Sequence, residues 1–245
     1  GGKLTMGLFD KKYCDICGEK IGLLGNRKLE DGNLCKNCSK KLSPWFTERR
    51  HATLAEIKEQ LEYREANREA VRAFNTTRSL GSTTKVLIDE DAGKFMVTSA
   101  RDLAEANPDV IDFSQVTGCT LDINETKTEL MKDGPDGKKV SYTPRRYHYE
   151  YDFYVRIDVN SPYFDEIKMR LNSSAVDGDS RREYARFKEM GEEIRTVLTQ
   201  ARREVRERAE SAAAPKVAVT CQWCGATTTP DASGCCEYCG GALNN

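Results

Sequence analysis

The sequence of 245 residues predicts an α+β protein with a small cysteine-rich module at each end. Three observations support this prediction. Two C-x2-C pairs lie within the first 38 residues and two more within the last 25, strand-like alternation fills the middle, and helical periodicity lies on either side of it. Strands followed by a long helix are typical of an antiparallel sheet that the helix covers.

The composition excludes several classes of protein. Lys and Arg total 38 against 39 Asp and Glu, and the mean hydropathy is −0.65. No apolar run approaches the ~20 residues that a membrane-spanning helix needs, and the balanced charge excludes a strongly basic nucleic-acid packager. Because no apolar signal region begins the chain, we expect a cytoplasmic protein with reduced thiols. Residues 1–6, which end at Met6, are predicted to be a remnant of recombinant expression and the start of the protein.

The N-terminal module is predicted over residues 7–46. It contains the pattern C-x2-C-x17-C-x2-C, and the turn at Asp31 and Gly32 is predicted to bring the second pair back over the first. Four thiolates form a closed tetrahedral shell around Zn²⁺ with no open position for substrate. The sequence therefore predicts a structural zinc ion at Cys14, Cys17, Cys35 and Cys38.

A linking helix is predicted within residues 47–80. Apolar residues recur every three or four positions from Leu54 to Phe74, and Thr53 followed by Glu56 fits a capping box. These observations predict a helix from Thr53 to about Phe74.

The middle domain is predicted over residues 81–210. Residues 86–88 and 95–97 indicate a hairpin around the turn 89–93, and residues 101–107 a short helix. Alternation is longest from Tyr147 to Val159, after a turn at residues 133–137, which predicts an antiparallel strand with one solvated face. A helix from Ser180 to about Glu210 follows, with an apolar seam at Tyr184, Phe187, Gly191, Ile194, Leu198, Ala201 and Val205. The seam could cover the sheet or pair with a second copy, so the oligomeric state stays open.

The chain ends in a predicted linker, residues 211–219, and a predicted zinc ribbon, residues 220–245. The ribbon has the pattern C-x2-C-x11-C-x2-C, formed by Cys221, Cys224, Cys236 and Cys239. Cys235 is an alternative to Cys236, but the two-residue spacing and the following Gly240 favour Cys236. We therefore predict two structural zinc ions per chain.

The remaining candidate residues do not indicate catalysis. Cys119 lies on the apolar face of a predicted strand and is expected to be a buried small hydrophobe. His148 shares a strand face with Glu150 and Asp152, which could hold a metal but more often form a solvated face. Neither cysteine pattern leaves an open ligand position, and no phosphate-binding glycine motif is present, so we expect no enzyme.

Charge is distributed unevenly along the chain, which suggests two alternative partners. The N-terminal module is basic and could bind nucleic acid weakly, whereas the middle and the ribbon are acidic. The basic residues of that module are Lys11, Lys12, Lys20, Arg27, Lys28, Lys36, Lys40 and Lys41. A second cluster near a hairpin tip could contact an anionic membrane surface: Lys138, Lys139, Arg145 and Arg146.

The runs from Cys14 to Gly22 and from Lys28 to Cys38 resemble a bacterial family of unknown function that is named for this zinc module. The resemblance implies zinc binding at the four N-terminal cysteines and supplies no activity. In such proteins a pleckstrin-homology-like or GRAM-like domain often follows, and residues 111–116 are similar to its start. The C-terminal tail is similar to zinc ribbons that are appended to many bacterial proteins.

We therefore interpret the sequence as a cytoplasmic, non-catalytic zinc scaffold or adaptor that mediates protein contacts. A pleckstrin-homology-like bent sheet has an edge that can accept a partner's strand. The alternatives are nucleic-acid binding through the N-terminal module and peripheral membrane binding through the middle domain. The identity of the partner stays open.

Overall fold

The computed structural model describes residues 11–213, 218–231 and 233–243. The chain divides into two compact units, with the boundary between Arg203 and Glu204. The predicted start at residues 1–6 and most of the predicted linker, residues 214–217, lie outside the described residues. The α+β class is confirmed.

The first unit begins with a small module around a two-stranded hairpin. Strand β1 (Arg27–Lys28) pairs with β2 (Asn33–Leu34), and Leu29 N donates to Gly32 O over 2.9 Å, as the predicted turn requires. Helix α1 (Lys36–Ser39) and a 3-10 helix (Arg49–His51) follow. The core of the module is small and includes three of its own cysteines, together with Ile21, Leu29, Leu34, Leu42, Ala52 and Ile57.

Helix α2 (Leu54–Ala73) has the predicted capping box between Thr53 and Glu56. Ile57 and Val71 of the predicted apolar stripe are buried, but Leu54 and Leu61 are only half-buried. Three polar residues are buried on the same helix: Gln60, Arg64 and Asn67. These side chains are buried because each has hydrogen-bond partners, as buried polar groups require. Gln60 Oε1, for example, accepts a hydrogen bond from Ser43 N over 3.0 Å.

The first sheet is a four-stranded antiparallel meander in the order β3-β4-β5-β6. Its strands are β3 (Arg78–Gly81), β4 (Lys85–Asp89), β5 (Lys94–Thr98) and β6 (Ile111–Asp112). The predicted hairpin of β4 and β5 is confirmed, and the short helix α3 (Leu103–Ala106) precedes β6.

The second sheet is centred on the longest strand, β8. It contains β7 (Val116–Asp133), β8 (Lys139–Val159), β9 (Glu166–Arg170) and β10 (Val176–Asp177). Strand β8 pairs with β7 along one edge and with β9 and β10 along the other. The predicted alternation holds, but only from Phe153 to Val159 are the inward residues fully buried, because the far half of the β7–β8 hairpin extends beyond the core.

Helix α4 (Arg181–Ala213) buries the central residues of its predicted seam, Phe187, Gly191, Ile194 and Leu198. Phe187 and Tyr184 contact the ring of Phe153, with ring centroids 5.9 and 5.1 Å apart, and Ile194 and Leu198 are fully buried. The helix extends three residues beyond its predicted end, into the predicted linker, which accords with the strong helix preference of its last two alanines. The pleckstrin-homology-like assignment of the two sheets and this helix stays a prediction.

The second unit contains the C-terminal ribbon. Strands β11 (Val219–Thr220) and β12 (Thr227–Thr228) form a hairpin, and a bridge joins Cys235 to Ala242. Among the described residues, no helix combines the length and the apolar character that crossing a membrane requires.

Candidate metal centres

The first metal centre is formed by Cys14, Cys17, Cys35 and Cys38, whose sulfur atoms all lie within 4.8 Å of one another. The sulfurs of Cys17 and Cys35 are 3.7 Å apart. A tetrahedron with Zn–S bonds of about 2.3 Å has S–S edges of about 3.8 Å. The arrangement therefore suits a structural zinc ion.

The two cysteine pairs of this centre are built differently. In the first pair Gly18 N donates to Cys14 O over 2.8 Å, and Cys14 N donates to Glu19 O over 2.9 Å. This tight turn requires a φ of +73° at Gly18, which glycine adopts without steric penalty. In the second pair Cys35 is the N-cap of α1, and its sulfur accepts a hydrogen bond from Cys38 N over 3.3 Å.

The backbone favours a negative charge on one sulfur of this centre. Burial alone would raise the pKa of the Cys14 thiol, but hydrogen bonds from the backbone of Cys17, Cys35 and Ile16 lower it to about 6. The pKa of the Cys38 thiol is raised, first by burial and then by the neighbouring sulfurs. Four crowded sulfurs of this kind can all ionise only when a cation compensates their charge, which a divalent metal provides.

The second metal centre is formed by Cys221, Cys224, Cys236 and Cys239, again within 4.8 Å of one another. The sulfur distances are 3.6 Å between Cys221 and Cys239 and 3.7 Å between Cys224 and Cys236. Both pairs here repeat the turn of the first N-terminal pair, and Gly225 and Gly240 take the place of Gly18. This centre also suits a structural zinc ion.

Electrostatics at the second centre resemble those at the first. Burial alone would raise the pKa of the Cys221 thiol, but hydrogen bonds from the backbone of Cys224 and Trp223 lower it to about 7. The backbone N–H of Gly241 alone would lower the pKa of Cys239, but Cys224, burial and the other sulfurs raise it to about 12. In each centre, backbone hydrogen bonds thus favour the thiolate form of one cysteine, Cys14 in the first and Cys221 in the second.

Cys235 lies outside the second group of sulfurs. Its backbone N–H donates to Asp231 Oδ1 over 2.9 Å, and its half-buried thiol donates to Ser233 O over 3.8 Å. The geometry thus selects Cys236, as its spacing predicts. All ten cysteines are free of disulfide bonds.

The predicted basic cluster at the β7–β8 hairpin is exposed, and acidic neighbours compensate most of it. Lys138 Nζ lies 3.8 Å from Asp136, Lys139 Nζ lies 2.7 Å from Asp133, and Arg145 Nε lies 3.6 Å from Glu129. The fourth member, Arg146, lies over the ring of Tyr142 with 4.9 Å between the guanidinium carbon and the ring centroid.

The alternative metal site at His148 does not assemble. His148 Nε2 lies 4.0 Å from Asp177 Oδ2, while Asp152 pairs with Arg170 and accepts a hydrogen bond from Asn172. In the described part of the chain, the two cysteine groups alone have the geometry to hold a metal ion. Cys119 is half-buried rather than fully buried, and burial raises the pKa of its thiol to about 12.

Sequence reasoning missed several exposed apolar side chains. Leu23 and Leu24 are 89% and 90% exposed, and Trp223 and Tyr238 are each 70% exposed. A signal for the leucines was present, because they lie between Gly22 and Gly25 in a turn where no core can cover them. Each aromatic residue stands third in a C-x2-C pair, a position that the turn directs outward.

Residues 12–60 match a family model that is described as a domain of unknown function, DUF4428. The match covers the N-terminal module and the first turns of α2, which confirms the resemblance of that module to a family without an assigned activity. No curated protein matches the chain, and no solved structure matches it. The bacterial origin and the GRAM-like domain stay predictions.

Proposed function

We propose that this protein is a non-catalytic scaffold that binds a protein partner by strand addition at the open edge of β7. Among the strands of the described residues, β7 pairs with β8 alone, although it is eighteen residues long. An unpaired strand edge presents a row of backbone donors and acceptors that a partner's strand can use. This open edge is the observation that carries the proposal.

The register identifies the backbone groups that point to the open edge. Phe153 N donates to Asn172 Oδ1 over 2.8 Å and Phe153 O accepts from Leu171 N over 2.9 Å, both on the side of β8 away from β7. Antiparallel pairs alternate, so the partner of Phe153, Ile123, directs its own N–H and C=O away from β8. The same direction applies at two-residue steps to Leu121, Glu125 and Lys127.

Helix α4 bounds this edge at one end. Arg202 Nη1 donates to Thr117 O over 2.6 Å and thereby occupies an outward carbonyl near the start of β7. The exposed run at residues 124–128 lies beyond that contact. The two successive meanders and the helix after them also support the pleckstrin-homology-like assignment, which belongs to the same proposal.

The metal centres support a structural role rather than a chemical one. Each has four cysteine ligands, which complete a tetrahedral shell and leave no position for a reacting group. We therefore assign the zinc ions to folding the terminal modules and the edge of β7 to partner binding.

The test compares Glu125→Pro with Glu125→Ala in the full-length, zinc-loaded chain. Both remove the hydrogen bond that Glu125 accepts from the Tyr151 hydroxyl, but only proline removes the outward N–H. We expect proteins from the native host that bind the wild type and the alanine variant to be lost from the proline variant. Each protein that the wild type retains, once purified, should slow amide exchange at residues 121–127 of the wild type when it binds. Equal retention by the proline variant, or unchanged exchange there with every partner, contradicts the proposal.

A further inference from the structure

A convex turn in the N-terminal module exposes two adjacent leucines. Gly25 N donates to Gly22 O over 2.9 Å and closes the turn, and between them Leu23 and Leu24 are 89% and 90% exposed. Side chains of this size normally contribute to a core, and burying them would be favourable. We call residues 22–25 the leucine tip.

A basic cleft adjoins the leucine tip. It lies between β1 and the 3-10 helix, has a volume of about 690 Å³, and is lined by Asn26, Arg27, Lys28, Leu29, Glu30, Arg49 and Arg50. Arg27 Nη1 donates to Leu24 O over 3.3 Å, which places one of the four cations directly against the tip. Four basic side chains and one carboxylate make the cleft strongly positive.

The positive charges of this cleft have no compensating ion pair in the described part of the chain. Within the described residues, none of the four forms an ion pair with a carboxylate, in contrast to the lysines of the β7–β8 hairpin. The enclosed Nε of Arg49 has no hydrogen-bond partner there. The pKa of Arg49 lies below its usual range because of partial burial and the nearby charges of Arg27 and Arg50. A bound anion would relieve all three of these conditions.

We propose that the leucine tip and the basic cleft together bind the surface of an anionic phospholipid bilayer. The leucines enter the boundary between headgroups and acyl chains, while the four cations bind headgroup phosphates. Stable peripheral attachment needs an apolar and an electrostatic contribution together, and this surface provides both. The inference is independent of strand addition at β7.

The charge of the whole module is complementary to this partner. Residues 11–50 contain ten basic and five acidic residues, so the module stays positive after a Zn(Cys)4 centre contributes its charge of −2. Single-stranded nucleic acid would also be attracted, but proteins that bind it typically offer aromatic faces for base stacking. Two protruding aliphatic side chains offer no such face and favour an acyl environment.

The test uses the full-length, zinc-loaded protein and sedimentation with two kinds of vesicle: phosphatidylcholine alone, and phosphatidylcholine mixed with phosphatidylglycerol. We expect binding only to the anionic vesicles, with an affinity that falls steeply as salt increases. The variants L23S/L24S and K28E/R50E should each weaken this binding at least about tenfold. All four side chains are exposed, so zinc content and circular dichroism should be unchanged.

Matched variants control for charge and apolarity. K138E/K139E makes the same change in charge at the hairpin, and L130S/M131S removes two exposed apolar residues there; both should bind within about twofold of the wild type. The proposal is overturned if neither vesicle binds, if both bind equally, or if L23S/L24S binds normally. If inorganic phosphate or a single-stranded oligonucleotide binds the cleft while L23S/L24S binds vesicles as the wild type does, the cleft is a site for a free anion. That outcome also overturns the proposal.

Discussion

Arg64 Nη1 donates to Asp109 Oδ1 over 2.7 Å at a position where the two side chains are only 7% and 0% exposed. Hydrogen bonds of this pair connect three parts of the first unit: helix α2, the N-terminal module and the segment before β6. Asp109 Oδ2 accepts a hydrogen bond from Ser43 Oγ over 2.8 Å, and Arg64 also donates to the carbonyls of Lys41 and Asn107. Helix α2 is thereby joined to the N-terminal module on one side and to the segment before β6 on the other.

We predict that Asp109→Ala destabilises the protein by about 3–5 kcal/mol, because it leaves the buried Arg64 guanidinium without a counter-ion. Urea unfolding at a fixed zinc concentration measures the loss. Glu69→Ala is the control, since it breaks an exposed pair with Arg72 and should change stability by less than about 1 kcal/mol. Equal effects of the two substitutions would contradict the buried network.

We predict that the wild type binds two zinc ions per chain and that Cys236→Ser binds one. Cys235→Ser should still bind two, because its sulfur lies outside the group of four. Metal analysis of the purified proteins measures both numbers. One zinc ion in Cys235→Ser together with two in Cys236→Ser would reverse the assignment.

We predict that a strong chelator disorders the N-terminal module and leaves the two sheets folded. The module has a small core that contains three of its own metal ligands, and zinc binding is worth about 10–16 kcal/mol in modules of this size. Hydrogen exchange should accelerate in residues 14–42 but not in β8. Continued protection of the module after complete zinc removal would show that the metal does not hold it together.

We predict that Gly191→Leu destabilises the protein by about 1–3 kcal/mol, because a side chain there overpacks the contact between α4 and β7. Even a Cβ at this position would lie 2.4 Å from Leu121 Cδ1. A double-mutant cycle with Leu121→Ala provides the control: the smaller neighbour should recover part of the loss. Additive effects in the cycle would argue against direct packing of these two residues.

We predict that Cys119 reacts slowly with thiol reagents at about pH 8. Burial raises the pKa of its thiol to about 12, and the reactive thiolate therefore forms only at much higher pH. In the zinc-loaded protein one thiol, Cys235, should react first, and Cys235→Ser should abolish that fast phase. Rapid labelling of Cys119, mapped by peptide mass, would contradict its burial.

The sequence predicted the metal centres well because ligand spacing is a local property. The four C-x2-C pairs and the glycines that follow three of them are visible without any knowledge of the fold. The hairpin of β4 and β5 and the helix capped by Thr53 were predictable for the same reason, since turn and capping signals lie within a few residues.

The polar part of the buried face of α2 could not be predicted in this way. Arg64 and Asn67 read as solvated residues on a helix, and their burial depends on partners about forty positions along the chain, at Asn107 and Asp109. The division of the strands into two sheets likewise depends on pairings that periodicity does not encode. The leucine tip was not predicted, although Gly22 and Gly25 mark a turn around the two leucines.

The buried ion pair between Arg64 and Asp109 also affects how the two proposed binding surfaces are held in the first unit. Directional hydrogen bonds fix α2 to the metal module, and Tyr63 packs against Tyr163 in the turn after β8, with 4.9 Å between ring centroids. The leucine tip and the open edge of β7 therefore belong to the same compact unit. A membrane surface that binds the tip would therefore also fix the orientation of the β7 edge. A partner strand would then approach that edge from a restricted set of directions.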